Sequence, residues 1–192
     1  MKYTLVIVFI FLYSQTYSQV PASYGYYFAK EYSKEIALYK AKDFVMHNVI
    51  GCENEAIKFK IDPLAAAVTG ELTSLVYTCE QKQMSGLILG FYGARWNDAG
   101  VVYQSYAYKH LPEKEALELL AKIDAVKDQY SDYLRSDLDN NNVFFEYDDM
   151  TFLIFIDYSG LTIRVFWNEF DAEWESVAFD RTKKRFEKKV KK

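Results

Sequence analysis

Pro112-Glu113-Lys114-Glu115-Ala116-Leu117-Glu118-Leu119-Leu120-Ala121-Lys122-Ile123-Asp124-Ala125-Val126-Lys127-Asp128-Gln129-Tyr130-Ser131-Asp132-Tyr133 carries the plainest structural signal in a chain of 192 residues. Proline at a first helical position loses no hydrogen bond that it would otherwise make, and Glu113 and Glu115 put negative charge at the positive end of the helix dipole. Leu117, Leu120, Ile123, Val126, Tyr130 and Tyr133 then recur at steps of three and four, which predicts a helix over about 112–135 with one face on an apolar partner. It frays near Arg135 to Leu138, before Asp139-Asn140-Asn141-Asn142, whose side chains favour turns.

On both sides of this helix the pattern is β-type. Upstream, Ile57-Lys58-Phe59-Lys60-Ile61 alternates strictly and stops at Asp62-Pro63, a short strand closed by a turn. Leu64 to Val68 fits a helical turn or a second strand. Leu72 to Cys79 and Leu87 to Tyr92 read as a hairpin around Glu80-Gln81-Lys82-Gln83, and Val101 to Tyr108 extends it to a meander after the turn Asn97-Asp98-Ala99-Gly100. Gly86, Gly90 and Gly93 within that hairpin mark close backbone approach rather than a phosphate cradle. Before the strands, Ala29 to about Val49 reads as a helix, with Tyr32, Ile36 and Tyr39 at helical spacing.

Downstream of the central helix, Val143 to Tyr147, Met150 to Asp157 and Leu161 to Trp167 are strands separated by Asp148-Asp149 and Tyr158-Ser159-Gly160. Phe152-Leu153-Ile154-Phe155-Ile156 is apolar on both faces, which predicts a strand inside the sheet with both faces covered. A last β-type run, about Glu173 to Phe179, precedes a basic C-terminal segment in which Phe179, Phe186 and Val190 draw a thin helical stripe. The order indicates a single α+β domain: a mostly antiparallel sheet against an N-terminal helix and the central helix, with a basic C-terminal helical tail.

The first nineteen residues read as an export signal. Lys2 gives a basic start, Leu5 to Leu12 is unbroken apolar, and Ser14 to Ser18 is small and polar, with cleavage expected near Ser18. The apolar run is too short for a membrane span, which takes roughly 20 residues. The expected product is residues 19–192, one soluble domain in the periplasm or extracellular space, with no transmembrane span. In that setting the only two cysteines, Cys52 and Cys79, are expected to pair, the alternative being two buried thiols.

Aromatic residues make up 18% of the chain, a composition that excludes disorder and suits both a large core and an interaction surface. The formal net charge of −4 hides a strong asymmetry. Acids dominate from Asp137 to Glu175, with Arg164 the one opposing cation. From Arg181 to Lys192 eight cations face only Glu187, a tail expected to be neutralised by the protein's own acidic region. With an export signal and no basic domain behind the tail, nucleic acid is not an expected partner.

Catalytic motifs are absent: no nucleotide-binding glycine loop, no serine elbow, no histidine pair at metal spacing. His47 and His110 read as one surface residue and one helix-flanking residue, and no cofactor is implied. Asp137, Asp139, Asn141 and Asp148 occupy positions of a calcium loop, but Asn142 stands where such a loop needs glycine and a strand follows where it needs a helix, so a helix-to-strand turn is the simpler reading. The densest polar and aromatic cluster is residues 164–175. Arg164, Trp167 and Trp174 are its candidate binding residues, and Glu169, Asp171, Glu173 and Glu175 are the pool from which a glycosidase would draw acid and base. A turn near Asn168 to Asp171 is expected to interrupt it. Two readings follow: a non-enzymatic binding or assembly domain for an envelope or extracellular protein or glycan, and a carbohydrate-active hydrolase.

Overall fold

The computed structural model describes residues 38–51, 54–96, 99–100 and 102–191. The chain divides into two units, Met1–Lys40 and Ala41–Lys192, and of the first only the helical residues 38–40 are described. The expected signal and the first part of the helix expected from Ala29 lie outside the described residues, as does Cys52. From residue 41 that helix is present, closing with a π-helical turn at Val45–Ile50.

Two four-stranded antiparallel meanders flank the central helix. The first comprises β1 (Lys60–Ala66), β2 (Leu72–Cys79), β3 (Met84–Trp96) and β4 (Val102–Pro112), paired in that order. Helices α1 (Glu113–Gln129) and α2 (Ser131–Ser136) follow. The second sheet comprises β5 (Asn142–Tyr147), β6 (Met150–Asp157), β7 (Gly160–Trp167) and β8 (Phe170–Glu175), and α3 (Ser176–Val190) ends the chain. The α+β class expected from the sequence is the observed one.

Side-chain alternation on β2 explains how the layers meet. Leu72 and Val76 enter one core together with Leu87, Leu89 and Phe91 of β3, Leu111 of β4, and Phe152, Ile154, Ile163, Val165 and Trp174 of the second sheet. Leu75, Tyr77 and Cys79 point the other way and, with Ile88, pack against Ala41, Val45 and Ile50. The first sheet is therefore covered on both faces, as a strand without polar alternation requires. Gly86 and Gly90 lie on the second of these faces, and a Cβ on Gly86 would sit 2.5 Å from the Leu111 carbonyl oxygen and 2.8 Å from the Tyr77 ring. Their lack of a side chain lets the Tyr77 and Tyr108 rings cross the sheet, the close approach anticipated for this hairpin.

Several boundaries differ from the sequence reading. The strand expected at Ile57–Ile61 is displaced to Lys60–Ala66 and runs through Pro63, because β1 is an edge strand and its register shifts between Pro63 and Ala65. The central helix breaks at Tyr130, where φ is −106° and ψ 12°, so its buried stripe is Ala116, Leu119, Leu120 and Ile123, while Tyr130 and Tyr133 face solvent. The final β-type run ends at Glu175, and Ser176 to Phe179 belong to α3, where Ala178, Phe179, Thr182 and Phe186 form its buried stripe. Long straight-chain cations between these positions propagate the helix, and Lys188 and Lys189 suit its negative end.

Two cations of the tail pair with acids elsewhere in the chain, neither of them in the acidic block first suspected: Lys183 with Asp124 of α1 and Lys189 with Asp62 of β1 at 2.6 Å. Lys127 of α1 pairs with Asp180, and Arg185 donates to the Leu64 carbonyl. A second polar tie joins the sheets: Lys109 of β4 reaches Asp148 at 2.6 Å and also Asp149 in the β5–β6 turn, and the Trp167 indole N–H donates to Asp149 at 2.9 Å. Among the described residues no disulfide is present: Cys79 is a thiol buried beside Tyr77 and Ile88, and Cys52, its expected partner, lies outside the described residues.

Candidate binding surface

The second sheet buries one face in the core and leaves most of the other partly exposed, Thr162 being the buried exception. Along β6 the burial alternates, with Met150, Phe152 and Ile154 in the core and Thr151, Leu153 and Phe155 on the outer side. β6 lies inside the sheet as expected, but its outer face is only half-buried among the described residues. Two-residue turns fix the register on either side. Asn168 and Glu169 close the β7–β8 hairpin with φ of 47° and 63°, the left-handed pair of a type I′ turn.

Three rows result across the outer face, from β5 to β8: Asn142, Phe155, Thr162 and Glu175; Phe144, Leu153, Arg164 and Glu173; Glu146, Thr151, Phe166 and Asp171. Phe144, Leu153 and Phe155 make an apolar cluster on β5 and β6, with Phe166 beside it on β7; Thr162 and Arg164 stand between this cluster and the acidic β8 border. Phe144 is 70% exposed and Phe166 38%, large apolar areas to leave in water. The β8 carboxylates are held in different ways. Asp171 accepts a hydrogen bond from Arg164 Nε at 2.7 Å, and Glu175 Oε1 accepts from the Val68 amide at 2.7 Å. The Glu173 amide donates to Glu71 at 3.1 Å. Partial burial, then the neighbouring Glu175 charge, raises the Glu173 carboxyl above its ordinary range despite Arg164.

The residues singled out in the sequence separate onto two faces. Trp174 is 1% exposed and stacks edge-on against Phe179, and Trp167 packs on Phe91 at 5.0 Å between centroids. Both therefore point inward: Trp174 is a core residue rather than a binding residue, and only Arg164 of the three candidates is on the outer face. Asp171, Glu173 and Glu175 share that face, while Glu169 stands in the turn. No tryptophan floor underlies the carboxylates. A concavity of about 490 Å³ lies instead along α3, lined by Asp180, Lys183, Lys184, Glu187, Lys188 and Lys191. The aromatic members of the face, Phe144, Phe155 and Phe166, were missed because their common orientation depends on strand register, and the paired turn residues at 148–149 and 168–169 were the available signal for it.

The calcium candidates do not converge. Asp137 accepts from the Asn140 side chain at 3.0 Å, and the Asn141 side-chain Nδ2 donates to the Tyr133 carbonyl at 2.7 Å, closing the end of α2. Asp148 lies beyond the whole six-residue strand β5, about 20 Å away, beside Lys109. Among the described residues no group of three acidic, histidine or cysteine side chains is arranged to hold a metal ion, and no helix is long and apolar enough to cross a membrane.

No known protein family, curated protein or solved structure matches the chain.

Proposed function

We propose that the protein is an exported, non-enzymatic binding or assembly domain that engages a partner of the envelope or extracellular space through the outer face of β5 to β8. The observation that carries this reading is the exposed Phe144 at the border of an apolar patch formed with Leu153, Phe155 and Phe166, on a sheet whose other face packs on the core. The acidic β8 border favours a partner with apolar and basic character. Export rests on the basic, apolar and small-residue succession of residues 1–19. The hydrolase reading has weaker support, since the β8 carboxylates and the tryptophans of residues 164–175 project to opposite sides of the sheet.

A photo-cross-linking phenylalanine analogue at position 144, compared with the same analogue at Tyr158, tests this in producing cells. Tyr158 is 96% exposed but lies in the β6–β7 turn, off the apolar patch. A discrete adduct is expected at 144 and none at 158. The same adducts at both positions, or none at 144, would refute the binding face.

A further inference from the structure

We infer that β5 is a self-pairing edge through which two copies of this chain join antiparallel, forming one continuous eight-stranded sheet centred on Phe144. The inference goes beyond the outer face as a binding surface: it concerns the β5 edge that borders that face and joins two copies side by side, leaving the face itself open.

The hydrogen-bond direction along β5 follows from its neighbours. Tyr147 and Met150 flank the two-residue turn, so Tyr147, Phe145 and Val143 bond inward to β6 and the alternate residues Glu146, Phe144 and Asn142 face out from the edge. Two independent bonds agree with this phase: Lys122 Nζ reaches the Glu146 carbonyl from outside at 2.9 Å, and the Asp139 amide takes the Ile156 carbonyl just past the end of β5. Each edge of the sheet carries one such side-chain bond, on β8 from the outward Glu173 amide to the Glu71 carboxylate, but the outward side chains of β8 are all carboxylates, which would meet in a self-paired strand, whereas those of β5 are Asn142, Phe144 and Glu146. β5 pairs its outward backbone with the largest exposed aromatic of the sheet, and its sequence Asn-Val-Phe-Phe-Glu-Tyr has high β-propensity and a single charge.

Two-fold symmetry about Phe144 sets Phe144 opposite Phe144 of the second copy and Asn142 opposite Glu146, so no like charges meet within the paired strands. The apolar run Phe155, Leu153, Phe144 would continue unbroken into its symmetry mate. The acidic β8 borders would stand roughly 30 Å apart at the two ends of the joined sheet, well beyond screening range. Stacking the two outer faces instead would bring Glu146, Asp171, Glu173 and Glu175 of each copy against one another, which disfavours that alternative. Lys122 need not leave, since the Glu146 carbonyl has a second lone pair.

Position 144 would sit on the two-fold axis with Cα atoms about 5.5 Å apart, within disulfide reach. Under mild oxidation, a Phe144→Cys variant of the full chain is expected to give a symmetric 144–144 disulfide, located by peptide mass mapping, and Tyr158→Cys is not. Analytical ultracentrifugation should give a concentration-dependent dimer that Asn142→Lys tightens, by facing Glu146, and Asn142→Glu weakens, each roughly tenfold. A monomer up to about 200 µM, or a dimer indifferent to both substitutions, would overturn the proposal. Heterologous photo-adducts at 144 without any 144–144 disulfide would defeat self-pairing while leaving the binding face intact; neither product would defeat both.

Discussion

His110 and Tyr77 illustrate what single side chains do beneath the first sheet. They approach each other over Gly86, with the Tyr77 hydroxyl 2.9 Å from His110 Nε2, a meeting that any side chain at 86 would block. Burial, then the neighbouring Lys109 charge, lowers the imidazole pKa below its ordinary 6.5. Burial above all pushes the Tyr77 phenol up to about 12. The unfolded chain binds a proton at His110 more readily than the folded one, so the stability due to neutral His110 is complete above pH 6.5 and is lost as pH falls through the folded value. The phenol acts at the other end: its stabilisation is complete below pH 10 and drains away between 10 and about 12. In urea titrations His110→Gln should therefore flatten the acid limb of stability below about pH 6.5 relative to the parent, and equal slopes would contradict the assignment. Reading the sequence alone put His110 beside a helix, which is true, but its partner depends on the register of three strands, and no local pattern encodes that.

At the level of elements, α3 docks on the first sheet through an apolar stripe interrupted by one buried polar pair. Thr182 Oγ1 lies 2.6 Å from Ser74 Oγ; with Thr182 donating back to the Ala178 carbonyl, Ser74 donates across the pair and accepts from the Ala65 amide of β1 at 3.1 Å. Both residues are buried, at 0% and 1% exposure, so a hydroxyl left without its partner has no water to turn to. Thr182→Val should cost about 1–3 kcal/mol, and the double variant with Ser74→Ala should cost less than the sum of the two single changes. Additive costs in the double-mutant cycle would mean that the two hydroxyls are not coupled. The helices themselves were largely legible: Pro112 and two glutamates marked the start of α1, and Phe179, Phe186 and Val190 drew the stripe of α3. Leu120 and Ile123 of the expected α1 stripe are buried and Leu117 and Val126 are partly buried, but Ala116 and Leu119 were missed, because the pattern was extended through Tyr130 and Tyr133, beyond the break in the helix. Glu173 to Phe179 misled for a related reason, a strand and a helix sharing one apolar run without a proline or glycine between them.

On the scale of the molecule, the separation of eight strands into two meanders is the feature that local patterns left open, since nothing short-range says whether strands on either side of a 17-residue helix will pair. What joins the sheets is a shared interior. Phe91 of β3 lies 5.0 Å from the Trp167 ring and 6.0 Å from Phe170, and with Leu72 and Leu89 it belongs to the same cluster as Ile163, Val165 and Trp174. Lys109, with its bonds to Asp148 and Asp149, adds a polar tie at the same boundary. If the core is common property, neither sheet can loosen alone, and residues 41–192 should unfold as one cooperative unit. Phe91→Ala tests this because it removes a buried ring from the first sheet alone, at a cost of about 3–5 kcal/mol. Native-state hydrogen exchange should then accelerate to the same extent in the amides of Leu87 to Leu89 and of Ile163 to Val165, although the second group lies in the other sheet. Faster exchange confined to β2, β3 and β4 would instead make the second sheet a separate folding unit, and the outer face it carries would then owe its shape to the β5–β8 meander alone.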